Sequence, residues 1–292
     1  MTDMTTASVP AAQAGTHFNW RQPVIYVVAL TAILISIIPV LYIWISGFRT
    51  SADLNSAPGG WPNPWFLGNY ANVLSSPRFW GSVFSSSLVA VGTTAGVVVL
   101  GLCAAYVIAR YKFRGRQWLY TFFSAGLMFP LTVAALPLSI LLRDIGLHGT
   151  FLGLIIPQVA FALPVTIIIL VPFLRAIPLE IEEAAQIDGA SRIGFFWRIV
   201  LPLSLPGLIT VGVLAFLGSW NGYLLPLLVM AAGGMPQELW TLPLGVQQFS
   251  TQYSQDTGAV LAYTSLSMVP ALVFFLAAER RIVGGLTGAV KG

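Results

Sequence analysis

The sequence predicts an all-α membrane protein with six transmembrane helices. Hydrophobic residues fill 57% of its 292 positions and charged residues only 8%, against about a quarter charged in a soluble domain. Mean hydropathy is +0.83. The apolar residues fall in six long runs separated by short polar or glycine-rich segments, and each run is long enough to cross a bilayer core about 30 Å thick.

Residues 1–23 are rich in Ala, Thr and Ser and lack an apolar pattern, so a disordered cytoplasmic tail is expected. The first run, 24–47, exceeds a signal-peptide core and is expected to remain as a span. Residues 48–80 carry Trp61, Trp65, Tyr70, Phe79 and Trp80 among Pro and Gly, which suits an external loop with rings at headgroup level. The second run, 81–109, holds Ser85, Ser86, Ser87 and a GxxxG pair, Gly92 and Gly96; such small residues let helices approach closely. Residues 110–116 pack four cations into seven positions. A short cytoplasmic loop that fixes topology explains them better than a lipid or nucleic-acid site, and no nucleic-acid partner is expected.

Runs three and four, 118–142 and 151–174, are joined by a turn over 143–150. His148, next to Gly149, reads as a solvated turn residue. Pro130 and Pro137 lie seven apart, as do Pro157 and Pro164, so each pair shares a helix face. Kinks that line a path and static kinks both fit this spacing. The fifth run, 203–231, carries Ser219-Trp220-Asn221-Gly222-Tyr223 near its middle. A polar external loop follows over 232–258, then a sixth run, 259–278, and a cytoplasmic tail over 282–292. The spans and their connections make one domain over 24–281.

With the N-terminus inside, eleven of the fourteen Lys and Arg residues are cytoplasmic; Arg49, Arg78 and Arg143 fall outside. That inside bias fixes the orientation and places both termini and residues 175–202 in the cytoplasm.

Several chemistries are missing. The six runs contain no Asp, Glu, Lys, Arg or His, which argues against an ion-coupled carrier. No GxxxxGK[ST] loop is present, and the only lysines are Lys112 and Lys291, so the chain is not expected to bind ATP. Cys103 is the single cysteine, which excludes an internal disulfide. No nucleophile–base set appears, and neither an enzyme activity nor a cofactor or metal is expected.

The most charged stretch is 178–202. Pro178 fits a first helical position, with Glu180, Glu182 and Glu183 at the positive end of the helix dipole. Asp188-Gly189 reads as a stop, and Ser191 as the cap of a second short helix ending before Leu201-Pro202. Ile193, Phe196 and Trp197 give that helix one apolar edge. On these features alone, an amphipathic loop on the lipid surface and a structured docking element are both open.

The pattern Glu183-Ala184-Ala185, then Gly189, then Ile199, Leu201 and Pro202, resembles the EAA loop of ABC importer permeases. In that family the loop is the coupling helix that docks in a groove of the cytoplasmic ATPase, and the fold is the type I importer permease architecture. Beyond the loop the chain is similar to the maltose-type sugar-importer branch, through Ser219-Trp220-Asn221, Leu242-Pro243-Leu244-Gly245 and the tail over 284–292. One departure is Gly222, where relatives often carry a carboxylate.

The resemblance implies a permease subunit in a bacterial cytoplasmic membrane that moves a sugar or oligosaccharide by alternating access. The alternative is a permease for another solute, such as an amino acid or peptide. It implies three kinds of partner besides lipid and substrate sugar: a second homologous permease, two ATPase subunits that hydrolyse the ATP, and an extracytoplasmic solute-binding protein. In relatives the last external loop reaches that protein, a role that falls here on Gln247, Gln248, Gln252 and Tyr253.

Substrate-path candidates are Trp220, Asn221 and Tyr223. A neutral amide between aromatic rings suits a hydroxylated ligand, and it equally suits an interhelical hydrogen bond. Helical spacing lets at most two of the three face one cavity.

Overall fold

The computed structural model describes residues 21–249 and 256–289, all in helices, turns and connecting segments. The chain divides into two units, one ending at Tyr42 and one beginning at Ile43. The expected tail lies largely outside the described residues, as do Gln252 and Tyr253. Among the described residues, five helices are long and apolar enough to cross a membrane, or six if one pair bent by 98° counts as a single span.

The first unit holds most of α1 (Arg21–Ser46). There the Thr31 and Ser36 hydroxyls donate to the Val27 and Ala32 carbonyls, so their polarity is satisfied inside the helix, as a bilayer demands.

In the second unit the expected outer loop folds into two short helices, α2 (Ser51–Ser56) and α3 (Gly68–Ser75). Arg49, only 3% exposed, holds them. Its guanidinium donates to the carbonyls of Asp53, Ala57 and Pro58 at 2.7–3.2 Å. The Asn69 amide donates to the carbonyls of Gly47 and Arg49.

Next comes α4 (Pro77–Arg110), the spine of the unit. It contributes to all four apolar clusters, through Leu102, Ala105 and Ile108 in one, Ala90 in the second, Val89 in the third and Val97 in the fourth. The third span is not straight. Helices α5 (Arg116–Gly126) and α6 (Leu131–Asp144) meet at 98° around Pro130, which has an extended backbone (ψ 129°) and no N–H to continue the first helix. Helix α7 (Phe151–Arg175) lies along α4 and keeps Pro157 and Pro164 within it. A methyl carbon added at Gly92 or Gly96 would lie 2.8 Å from Ile155 or 2.7 Å from Val159. The small-residue stripe is therefore where α4 and α7 touch.

The connection expected to be cytoplasmic holds α8 (Leu179–Ile187) and α9 (Arg192–Phe195), followed by a widened turn over Phe196–Val200 and by α10 (Leu201–Trp220). The expected stop before Leu201-Pro202 is absent: Arg192–Trp220 runs as one helix. Pro202 lacks the N–H that would bond four residues back, and the chain widens the preceding turn, with Leu201 N–H donating to the Phe196 carbonyl.

The fifth run is likewise broken. Helix α10 ends at Trp220, and residues 221–223 lead into a short segment, α11 (Leu224–Pro226) with a wide turn over Leu227–Ala231. Gly149 N–H donates to the Val229 carbonyl of that segment at 2.9 Å. The Ser139 hydroxyl donates to the Leu228 carbonyl at 3.1 Å, and His148 Nε2 lies 2.9 Å from the same oxygen. His148 is thus a half-buried tether, not the expected solvated turn residue.

Helix α12 (Leu242–Gly245) anchors to α4 through Leu242 N–H donating to Ser86 Oγ at 2.7 Å. Helix α13 (Thr257–Ala289) begins under the Asp256 carboxylate, which accepts from Ala259 N–H and from the Ser51 hydroxyl. It continues to Ala289, so most of the expected tail over 282–292 is helical backbone.

Gly96→Val is expected to cost about 1–3 kcal/mol by overpacking the α4–α7 contact. Gly59→Ala is expected to cost nothing measurable, because open space meets its added carbon. Melting temperatures of the two detergent-solubilised variants check this.

Candidate functional site

The stretch 178–202 builds a rigid two-helix turn. Pro178 takes the cap position with extended backbone (φ −56°, ψ 143°), one residue earlier than the sequence predicts. Glu180 and Glu182 occupy the first turn of α8, and Glu183 follows. The helix ends in a paired-bond stop: Ala190 N–H donates to the Ala185 carbonyl at 2.9 Å and Gly189 N–H to the Gln186 carbonyl at 3.0 Å. This closure needs a left-handed residue, and Gly189 supplies it with φ +75°. Ser191 then caps α9, its hydroxyl accepting from Gly194 N–H at 3.1 Å.

The turn has two faces. Inward, Ala185 and Phe195 are 7% and 4% exposed and Val200 is fully buried. They belong to one cluster with Ile108 and Ala109 of α4, with Leu174 of α7 and with Ile177 just beyond that helix. Ile199 and Leu201 pack half-buried against it. Phe196 turns the same way, 5.0 Å from the Tyr106 ring, so it leaves the apolar edge that the sequence assigns to it. Arg116 closes the base by donating to the last carbonyls of α4, at 2.6 Å to Ile108 and 3.0 Å to Ala109. Outward, Glu183, Ala184 and Pro202 are exposed. Ile187, Ile193 and Trp197 are 86%, 74% and 60% exposed. The three consecutive residues Glu183-Ala184-Ala185 therefore split between the faces.

The second group lies at the far end of α10. Trp220 is buried, stacked on Phe216 with centroids 5.6 Å apart, and its indole N–H donates to the Ser267 carbonyl of α13 at 3.2 Å. Asn221 caps α10 with its side chain exposed, and Tyr223 is exposed as well. The Tyr223 hydroxyl meets the Gln247 amide, which joins one substrate-path candidate to one candidate for binding-protein contact. Gln248 donates to the Gln237 carbonyl at 3.2 Å.

A third group was not singled out from sequence. Thr93 of α4 donates to Gln158 Oε1 of α7 at 3.1 Å, and beside them lies a cavity of about 200 Å³ that Ser219 also lines. Its available signal was one neutral amide next to Pro157 in an otherwise apolar run. Among the described residues no cluster of His, Cys, Asp or Glu is placed to hold a metal.

Residues 97–280 match the family described as binding-protein-dependent transport system inner membrane component. The chain is 36% identical to a diacetylchitobiose uptake system permease protein of Streptomyces coelicolor, over 87% of this chain and 83% of that one. It is 35% identical to a trehalose transport system permease protein of Mycobacterium tuberculosis, over 88% and 93%. Its fold is similar to a chain in the crystal structure of a bacterial ABC transporter involved in import of the acidic polysaccharide alginate, with a TM-score of 0.74 at 20% identity, covering 90% and 98%.

Ala185→Leu is expected to lift the turn off α4 and raise amide hydrogen exchange across residues 179–200 about tenfold or more, the range of local opening. Ala184→Leu, one residue away on the exposed face, is expected to leave that exchange unchanged.

Proposed function

Since the chain belongs to the binding-protein-dependent transport inner-membrane component family, we propose that it is the permease subunit of an ATP-driven importer that carries a sugar or oligosaccharide inward by alternating access. The carrying observation is the two-faced turn, pinned inside by Ala185, Phe195 and Val200 and bare outside at Glu183, Ala184, Ile187, Ile193 and Trp197. A lone water-facing loop has no reason to expose three large apolar side chains on a stiff, doubly capped frame. A groove on a cytoplasmic ATPase gives them one.

ATP is hydrolysed on that separate subunit, because this chain carries no phosphate loop. Closure of an ATPase pair displaces the bare face. The buried face passes the displacement to the cytoplasmic ends of α4 and α7. A second, homologous permease completes the pathway, and each permease seats one of two ATPase subunits. The cation asymmetry supports cytoplasmic termini and a cytoplasmic turn. At the other end Asn221, Tyr223, Gln247 and Gln248 offer neutral hydrogen-bonding groups to an external binding protein and its sugar. Trp220 supports that surface from beneath and does not touch the solute.

Sugar as the cargo is supported by the diacetylchitobiose and trehalose permeases among the relatives. It also fits a bundle whose sequence runs contain no charged side chain to hold an ionic solute.

Gly189→Val forces a β-branched residue into the left-handed region, at about 1–2 kcal/mol. In proteoliposomes with the partner subunits, the variant is expected to assemble yet lose binding-protein-stimulated ATPase and sugar uptake together. Uptake at the wild-type rate by an assembled Gly189→Val complex refutes the coupling role. Glu183→Lys is expected to weaken co-purification of the ATPase and to leave the permease pair intact.

A further inference from the structure

The cavity beside Thr93 and Gln158 is polar in a place where the helices need no polarity. It lies between α4, α7 and α10, with Leu131 at the start of α6. The rise of an α-helix puts Thr93 and Gln158 each about 25 Å from the cytoplasmic arginines ending their helices, Arg110 and Arg175. That depth is inside the hydrocarbon layer, well away from the cytoplasmic headgroups.

Three donors and acceptors converge there. Thr93, 2% exposed, spends its hydroxyl proton on Gln158 Oε1. The Gln158 amide NH2 has no hydrogen-bond partner among the described residues. Ser219 Oγ is buried and likewise lacks a partner among them. A helical hydroxyl in an apolar bundle ordinarily satisfies itself on the carbonyl four residues back, as Ser87, Thr94, Thr166 and Ser204 do here. Ser219 does not. Next to it, Gly218 leaves open space where a side chain would stand. Phe161, Leu214 and Ala215 supply apolar wall around these groups. A buried polar atom without a partner costs about 1–3 kcal/mol, so such groups persist where water or a ligand meets them.

We propose that the Thr93–Gln158–Ser219 cavity is a hydroxyl-reading station for one sugar ring on the transport path within this subunit. It takes the ligand class from the sugar-import reading; its place on an aqueous path rests on the geometry alone. The Gln158 NH2 donates to a ring hydroxyl, and Ser219 donates or accepts at a neighbouring one. Phe161 offers a ring face to the apolar side of a sugar. The absence of a formal charge keeps binding weak, which lets the solute leave as readily as it enters.

Cys103 is the only cysteine of the chain, so Cys103→Ala gives a clean background for Ser219→Cys. The complete complex, with its partner permease, ATPase subunits and binding protein, is treated in proteoliposomes with a small hydrophilic methanethiosulfonate. Modification of position 219 is followed by mass. The expected result is modification about tenfold faster in one nucleotide state than in the other, as an alternating path is wet in turn. In parallel, Gln158→Leu is expected to lower import of radiolabelled trehalose or diacetylchitobiose about tenfold, the worth of one lost hydrogen bond, while ATPase stimulation by the loaded binding protein stays within about twofold.

Ser219→Cys that stays unmodified in every nucleotide state overturns the proposal, and so does wild-type import by Gln158→Leu. Should Gln158→Leu fail to assemble, the near-isosteric Ser219→Cys decides alone. If the wild-type complex moves neither sugar, the cargo reading fails, and the labelling still reports whether this cavity lies on the path.

Discussion

Close approach of α4 to α7 is the contact on which the second unit depends. Lipid offers no hydrophobic reward for bringing two apolar helices together, so their association rests on packing and on small residues that let backbones near each other. Gly92 and Gly96 of α4 face Ile155 and Val159 of α7 at distances that leave no room for a methyl group. Every apolar cluster of the unit then draws on α4. The end of the same pair that holds Ile108 and Leu174 forms the seat of the two-helix turn, and its middle forms one wall of the polar cavity. One helix therefore connects the surface where work is expected to arrive with the chamber where a solute is expected to sit.

Much of the fold was legible because a bilayer simplifies the problem. Long apolar runs must be helices, since no other open backbone satisfies its own polar groups in lipid. The capped turn was also legible, because Gly189 and Ser191 are local signals whose bonds form within a few residues. What the sequence could not show was how far a helix continues through a proline. Pro130 ends one segment and bends the third span sharply, whereas Pro202 sits inside an unbroken helix. The difference lies in tertiary packing: Val200 and Phe195 are buried on α4 and α7 and hold the chain helical up to Pro202.

The candidate site was legible in kind and less so in position. Trp220, Asn221 and Tyr223 are adjacent in sequence, and the break after Trp220 sends them in different directions, one into the core and two outward. Helical periodicity holds only along a continuous helix, and this one stops at Trp220. In the sequence Gln158 is one neutral amide in an apolar run, a group that ordinary interhelical hydrogen bonding also uses. Its significance appears only once Thr93 and Ser219, both far away along the chain, stand next to it.

The unbroken helix from Arg192 to Trp220 has a geometric corollary. At 1.5 Å per residue it is a rod about 43 Å long, so swinging it ten degrees about its lower end shifts the upper end by about 7 Å. Trp197 stands near the fulcrum and Ser219 near the tip. A push of one or two ångströms at the foot of such a beam is amplified several-fold beside Ser219.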